Sequence, residues 1–257
     1  MWSITHNWRT SALCLLFLVI GCSKDNSDIA NACVPFDHAF VCSLDAGGAI
    51  VGGGVVLCSS KFPDKGILVT ARHVVTFNRN YLSSMAVSVT KQSKITLGDT
   101  KTRWLTVKDN AVDAAWMLLN AAEMKEIKKS GIKLPIAIPK SLSLDKSDDV
   151  KIVNTYNSFN SKYIDELTIQ CPLPENLHLT HVTLVVGMVN VAVSKNNSGS
   201  PVFVRKDGRN FLIGTVAISR ENPDATGFID IRRYLDSIVD IFNGKTSVRL
   251  VDCQNLW

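Results

Sequence analysis

The sequence predicts an all-β protein built from two strand-rich halves and closed by a short terminal helix, and three observations carry that reading. From Phe40 onward, short runs of Val, Ile, Leu, Thr and Phe alternate with Gly, Asp and Asn, the pattern of many short strands joined by turns. Pro135, Pro139 and a polar run over residues 140–149 break the pattern midway, where a linker between halves of similar size fits. Near the end, Ile231, Leu235, Ile238, Val239 and Phe242 recur at helical spacing.

In chain order, residues 40–44 and 50–58 flank Asp45-Ala46-Gly47-Gly48 as a hairpin, residues 66–70 form another strand, and residues 121–129 a short helix. The second half supplies strands over residues 150–154, 167–170, 182–193, 201–204 and 211–218. The terminal helix is expected to pack on that second half.

With 257 residues, 46% hydrophobic and 20% charged, the chain can bury a sizeable core, which excludes disorder as its default state. A net charge of +5 is spread along the chain, with Arg232-Arg233 and Lys128-Lys129 the nearest approach to clusters, so no nucleic-acid partner is expected. At the N-terminus, Arg9 precedes an apolar run over residues 12–20 that is too short to span a bilayer and reads as a signal peptide. The run ends in Val19-Ile20-Gly21-Cys22, which resembles the lipobox of bacterial lipoproteins. That resemblance implies a signal over residues 1–21, lipidation of Cys22 as the mature N-terminus, and a tether over residues 22–36. The protein is then exported and held on a lipid bilayer of the bacterial envelope by acylated Cys22.

Setting aside Cys14 and Cys22 leaves five of the seven cysteines: Cys33, Cys42, Cys58, Cys171 and Cys253. An exported protein can oxidise them, but an odd number allows at most two internal bridges, and the sequence does not choose among the pairings. Cys42 and Cys58, on consecutive predicted strands, are the first pair to test. No cysteine spacing suggests zinc, and neither a metal nor an organic cofactor is expected.

A serine hydroxyl is a poor nucleophile at neutral pH; acyl transfer needs a base beside it, a carboxylate to orient the base, and donors for the developing oxyanion. Asn197-Ser198-Gly199-Ser200-Pro201 is a small serine turn before an apolar strand, Thr70-Ala71-Arg72-His73 ends an apolar strand in histidine, and Val112-Asp113-Ala114-Ala115-Trp116 sets a carboxylate in an apolar run. Singly, each has an ordinary structural explanation. Together, in the order His, Asp, Ser with separations of 40 and 85 residues, they resemble the chymotrypsin-like (trypsin-like) serine protease family of bacterial type. The resemblance runs without a gap from Ser198 to Ser219, resumes at Gly227-Phe228-Ile229 and Tyr234-Leu235-Asp236-Ser237-Ile238, and covers most of residues 40–242.

What the resemblance implies is specific. The fold is two six-stranded antiparallel β-barrels with a short C-terminal helix: a first barrel over residues 37–135 carrying His73 and Asp113, a linker over 136–149, a second barrel over 150–230 carrying Ser198, and a helix and tail over 231–257. His73, Asp113 and Ser198 are the catalytic triad of a serine endopeptidase, the backbone N–H groups of Asn196 and Ser198 form the oxyanion hole, and the substrate is a polypeptide. Ala192 stands where trypsins carry an aspartate that selects Lys or Arg, so Ala192, Ala217 and Ser219 imply a pocket for small or apolar side chains. Three departures set the competing reading, a catalytically weak or inactive peptide-binding module. Asn196 stands where glycine is usual, Ala217 where a serine often supports the triad aspartate, and Ser219 where glycine usually lines the cleft. Asn197 occupies the place of the aspartate that receives a new N-terminus in trypsin-type activation, so that route is not expected here. His178 and His181 are expected at surface or hairpin positions.

Overall fold

The computed structural model describes residues 34–76, 85–172, 181–221, 224–245 and 251–252. Strands β1 (His38–Ala46), β2 (Ala49–Ser59) and β3 (Phe62–Thr70) lead into a one-turn helix, α1 (Arg72–Thr76). Then come β4 (Ala86–Ser88), β5 (Ile95–Thr96), β6 (Leu105–Thr106), β7 (Ala115–Leu119), helix α2 (Ala121–Ser130) and β8 (Leu134–Pro135). The second half contributes β9 (Asp149–Val153), β10 (Ser158–Pro172), β11 (His181–Val189), β12 (Pro201–Lys206), β13 (Arg209–Glu221) and β14 (Asp224–Asp230), followed by helix α3 (Leu235–Phe242) and β15 (Val251–Asp252).

Local chemistry fixes the boundaries. β1 and β2 pair as far as Ala46 opposite Ala49, leaving Gly47 and Gly48 at φ 63° and 88°, the double positive φ that a two-residue hairpin turn requires. Asp207 and Gly208, at φ 49° and 73°, turn β12 into β13 in the same way. Helix α2 opens on a capping box in which Asn120 Oδ1 accepts from the Glu123 N–H and Glu123 Oε2 accepts from the Asn120 N–H, both at 2.9 Å.

The all-β architecture of two antiparallel sheets is present. The second sheet is a closed barrel in the order β10-β11-β14-β13-β12-β9. The first is a nine-stranded sheet in the order β15-β6-β7-β3-β2-β1-β4-β5, with β8 pairing on β1. β8 and β15 are short additions to its edges, each two residues long. Apolar residues of β1–β3 and β7 bury inward, and the second barrel is filled by Val150, Ile152, Val202, Val204 and Phe228 among others.

Two expectations are corrected. Helix α3 does not keep to the second half: the Tyr234 ring just before it stacks on Trp116 of β7 at 5.6 Å, and Phe242 at its end meets Phe36 and Phe62 edge-on at 4.9 and 5.6 Å. Aromatic rings at both ends thus tie it to the first sheet, contacts that helical periodicity alone cannot assign to a partner. Cys42 and Cys58 are not joined. Cys42 lies opposite Gly54 and Cys58 opposite His38, so four steps of ladder, about 13 Å, separate them, beyond the reach of a disulfide. Burial pushes both thiols up, that of Cys58 to about 12, which leaves them unreactive. Cys22, Cys33 and Cys253 lie outside the described residues, as do the signal and the tether up to residue 33. No described helix is long and apolar enough to cross a membrane.

Candidate active site

β3 and β7 run antiparallel with Thr70 opposite Ala115, so the residues just past that pair, the start of α1 and the segment before β7, lie side by side. This ladder brings His73 to Asp113. Val74 and Val75 anchor α1 in the core and turn His73 outward, its side chain 22% exposed against 2% for Asp113. Asp113 Oδ2 lies 2.7 Å from His73 Nδ1, and Oδ1 accepts from the His73 backbone N–H at 2.9 Å. With Nδ1 donating to the carboxylate, Nε2 becomes the basic nitrogen of the ring.

Burial opposes the ionised carboxyl, but the charge and hydrogen bonds of His73 outweigh it and hold Asp113 below the usual carboxylate range. For His73, burial works against protonation, while the Asp113 charge and hydrogen bond prevail and raise its pKa. Arg72 sits fully buried under this pair, its guanidinium reaching the Asp109 and Asn110 carbonyls at 3.4 Å each. Its charge favours ionised Asp113 and works against protonated His73.

Ser198 comes from the second half, between a 3-10 turn over Lys195–Asn197 and the start of β12. Its carbonyl accepts from the Gly53 N–H at 2.7 Å, and the next residue, Gly199 at φ 84°, donates to the Val216 carbonyl at 2.7 Å. A side chain at Gly199 would place Cβ 2.1 Å from Thr70 Oγ1, and one at Gly53 would place it 2.2 Å from Ser200 Oγ. Glycine on both sides is what lets the serine turn press against β2. The sequence reading missed Gly52 and Gly53; a glycine run inside an apolar strand was the available signal.

Ser198 and His73, from the two halves, line one cleft of about 320 Å³. Ser194, Lys195, Asn196, Ala217 and Ser219 share its wall, while Ala192 does not. Ala217 is the bulged residue where the β13–β14 register shifts, a device that redirects a strand beside a site. Ser219 Oγ accepts from the Val193 N–H at 3.0 Å and approaches Thr226 Oγ1, on the neighbouring strand β14, at 3.5 Å. His181 is exposed at the start of β11, away from this cleft, and His178 lies outside the described residues. A larger cavity of about 710 Å³ lies between residues 134–136 and strands β9 and β12, and none of His73, Asp113 and Ser198 lines it. The described residues include no cluster with the donors to hold a metal.

At the expected oxyanion donors, Asn196 is exposed and not among the described residues with positive φ, and the Ser198 N–H donates to the Lys195 carbonyl at 3.2 Å. Asn197 is buried; its Nδ2 donates to Ser194 Oγ at 2.7 Å and to the Ser194 carbonyl at 3.1 Å, while its Oδ1 accepts from Asn154 Nδ2.

No protein-family profile matches the chain, and no curated protein sequence does. Solved structures do. The Rv3671c protease from M. tuberculosis in its active form is 15% identical with a TM-score of 0.52, over 90% of this chain and 89% of that one. Human heparin binding protein is 13% identical with a TM-score of 0.53, over 79% of this chain and 91% of that one. With its two antiparallel β-sheets and terminal helix, this chain has the chymotrypsin-like fold.

Proposed function

We propose that this chain is a serine endopeptidase that cleaves polypeptides through an acyl-enzyme on Ser198. The observation that carries the reading is the 2.7 Å contact between His73 and Asp113, both carboxylate oxygens committed to His73, in a cleft that Ser198 also lines. Fold does not choose the function, since the similar structures include one named as a protease and one named for binding heparin. The pairing of His73 with Asp113 beside Ser198 supports the endopeptidase reading.

In the proposed reaction Ser198 Oγ attacks the scissile carbonyl carbon as His73 Nε2 takes its proton. His73 then delivers that proton to the leaving amine, and water resolves the ester by the same route. Asp113 holds the imidazole in the tautomer that keeps Nε2 basic and stabilises the imidazolium. Ala217 and Ser219 favour small or apolar side chains before the cut bond, and lipidation of Cys22 holds the enzyme at the bacterial envelope.

A second reading, a protease-like module with little turnover that binds peptides, draws on one observation: the Ser198 N–H is already engaged by the Lys195 carbonyl. Profiling a peptide library with the purified protein and its Ser198→Ala variant separates the two. Cleavage that depends on Ser198 supports the endopeptidase; peptide binding with no cleavage supports the module. Mass spectrometry of the mature N-terminus tests the anchor, and an unacylated start elsewhere than Cys22 contradicts it.

A further inference from the structure

A peptide group carries its C=O and N–H on opposite edges, so a peptide that turns its oxygen toward a point turns its hydrogen away. The Lys195 carbonyl faces the Ser198 N–H at 3.2 Å. The Asn196 N–H belongs to that same peptide, so it points away from where the Ser198 N–H could meet a substrate oxygen. In this arrangement an oxyanion would meet a carbonyl oxygen rather than two converging donors.

A set of amide contacts holds the turn in that form. The Asn197 N–H donates to the Ser194 carbonyl at 2.9 Å, Asn197 Nδ2 reaches both Ser194 oxygens, and Asn197 Oδ1 takes the Asn154 amide. Asn154 is itself fixed: its Oδ1 accepts from the Tyr156 and Asn157 N–H groups at 2.7 and 2.6 Å. Next to it, Thr155 Oγ1 donates to the Ser88 carbonyl of the first sheet at 2.8 Å. A chain of hydrogen bonds therefore runs from the first sheet through the loop after β9 to the turn before the nucleophile.

We propose that the oxyanion hole of this protein rests closed, that Asn154 and Asn197 are the positioning residues that latch it, and that it opens when the Lys195–Asn196 peptide turns over. The inference rests on the endopeptidase reading and names the control of that site. Turning the peptide by about half a revolution carries Asn196 from the negative φ of a 3-10 turn to positive φ. Asparagine accepts that conformation better than most residues, and glycine accepts it freely. Asn196 thus permits the open state without favouring it.

Two variants test this. Asn196→Gly removes the strain of the open state. Asn154→Asp keeps the oxygen that caps Tyr156 and Asn157 but replaces the amide donor with a second carboxylate oxygen facing Asn197 Oδ1. The probe is a peptide aldehyde with a small residue before the reactive carbon, because Ser198 addition to it forms a hemiacetal whose oxygen must occupy the hole. Asn196→Gly is expected to bind the aldehyde about tenfold more tightly and to raise kcat by a similar factor with KM unchanged, the scale of relieving positive-φ strain. Asn154→Asp is expected to move both in the same direction by less. A crystal structure of the free protein should show the Lys195 carbonyl on the Ser198 N–H, and that of Asn196→Gly should show the two N–H groups converging. Equal aldehyde affinity in all three proteins, or converging donors in the free wild type, overturns the inference. If none of the three forms a Ser198 adduct with aldehyde or fluorophosphonate, the endopeptidase reading falls and this inference with it, an outcome distinct from equal affinity.

Discussion

Gly53 and Ser198 are joined backbone to backbone, the Gly53 N–H donating to the Ser198 carbonyl at 2.7 Å. That bond crosses from β2 to the turn of the second half that carries Ser198, in the cleft that His73 also lines. Its neighbours leave no room for a side chain: Cβ at Gly53 would fall 2.2 Å from Ser200 Oγ. Gly53→Ala is therefore expected to push the serine turn away from β2, at about 1–3 kcal/mol of overpacking. Urea unfolding should show that loss, and Ser198 reactivity should fall more than tenfold even where the protein remains folded.

Asp113 makes the pH dependence specific. Its charge and hydrogen bond raise the His73 pKa above 6.5, so turnover should climb with pH through a midpoint above that value, as His73 loses its proton and becomes a base. Asp113→Asn should bring the midpoint down and reduce kcat by about 10⁴-fold, the size of this change in other triads of this kind. For stability the signs oppose. The raised His73 pKa contributes stability that is complete below 6.5 and fades as pH rises through the folded value. The lowered Asp113 pKa contributes stability present above 3.8 and lost as pH falls through its folded value. Proton NMR of the His73 ring in wild type and Asp113→Asn follows the shift directly.

Ser219 is expected to limit the pocket. Its hydroxyl accepts from the Val193 N–H, and Ser219→Gly removes that bond together with a side chain of the cleft lining. The ratio of kcat/KM for a large apolar side chain over alanine before the cut bond should rise about tenfold, within the range a change of pocket size produces. A strict preference for Lys or Arg in the wild type would contradict the pocket assigned here.

Away from the site, Glu123 closes the α2 capping box while pairing with Arg103 at 2.7 and 2.8 Å and accepting from the Gly98 N–H at 3.0 Å. Glu123→Ala should cost about 3 kcal/mol, the lower end for breaking a buried pair because Arg103 is partly exposed. Denaturant unfolding should register the loss, with the midpoint lowered and Ser198 reactivity kept at low temperature.

Much of this was legible in the chain. Strand runs around Gly66 and Phe211, the double-glycine hairpin at Gly47-Gly48 and the helix after Asn120 follow from side-chain pattern and turn chemistry, which act over a few residues. His73 and Asp113 could be paired only through the family resemblance of their motifs, and the structure pairs the strands beside which they stand. β10 was legible only in part: its first half alternates polar and weakly apolar residues and lies largely exposed, so no apolar run marks it. Other long-range choices were not legible. The stacking of Tyr234 on Trp116, the burial of Arg72 under the His73–Asp113 pair, and the tie from Asn154 to Asn197 each join residues whose partners local pattern does not specify.

The most direct measurement is labelling of the native protein with a fluorophosphonate, followed by peptide mapping, in wild type, Ser198→Ala and His73→Ala. The account predicts a single phosphonylated residue, Ser198, with labelling abolished in Ser198→Ala and slowed by at least about 10³-fold in His73→Ala. Native protein that takes no label, or takes it equally in Ser198→Ala, would contradict a nucleophilic serine at this site.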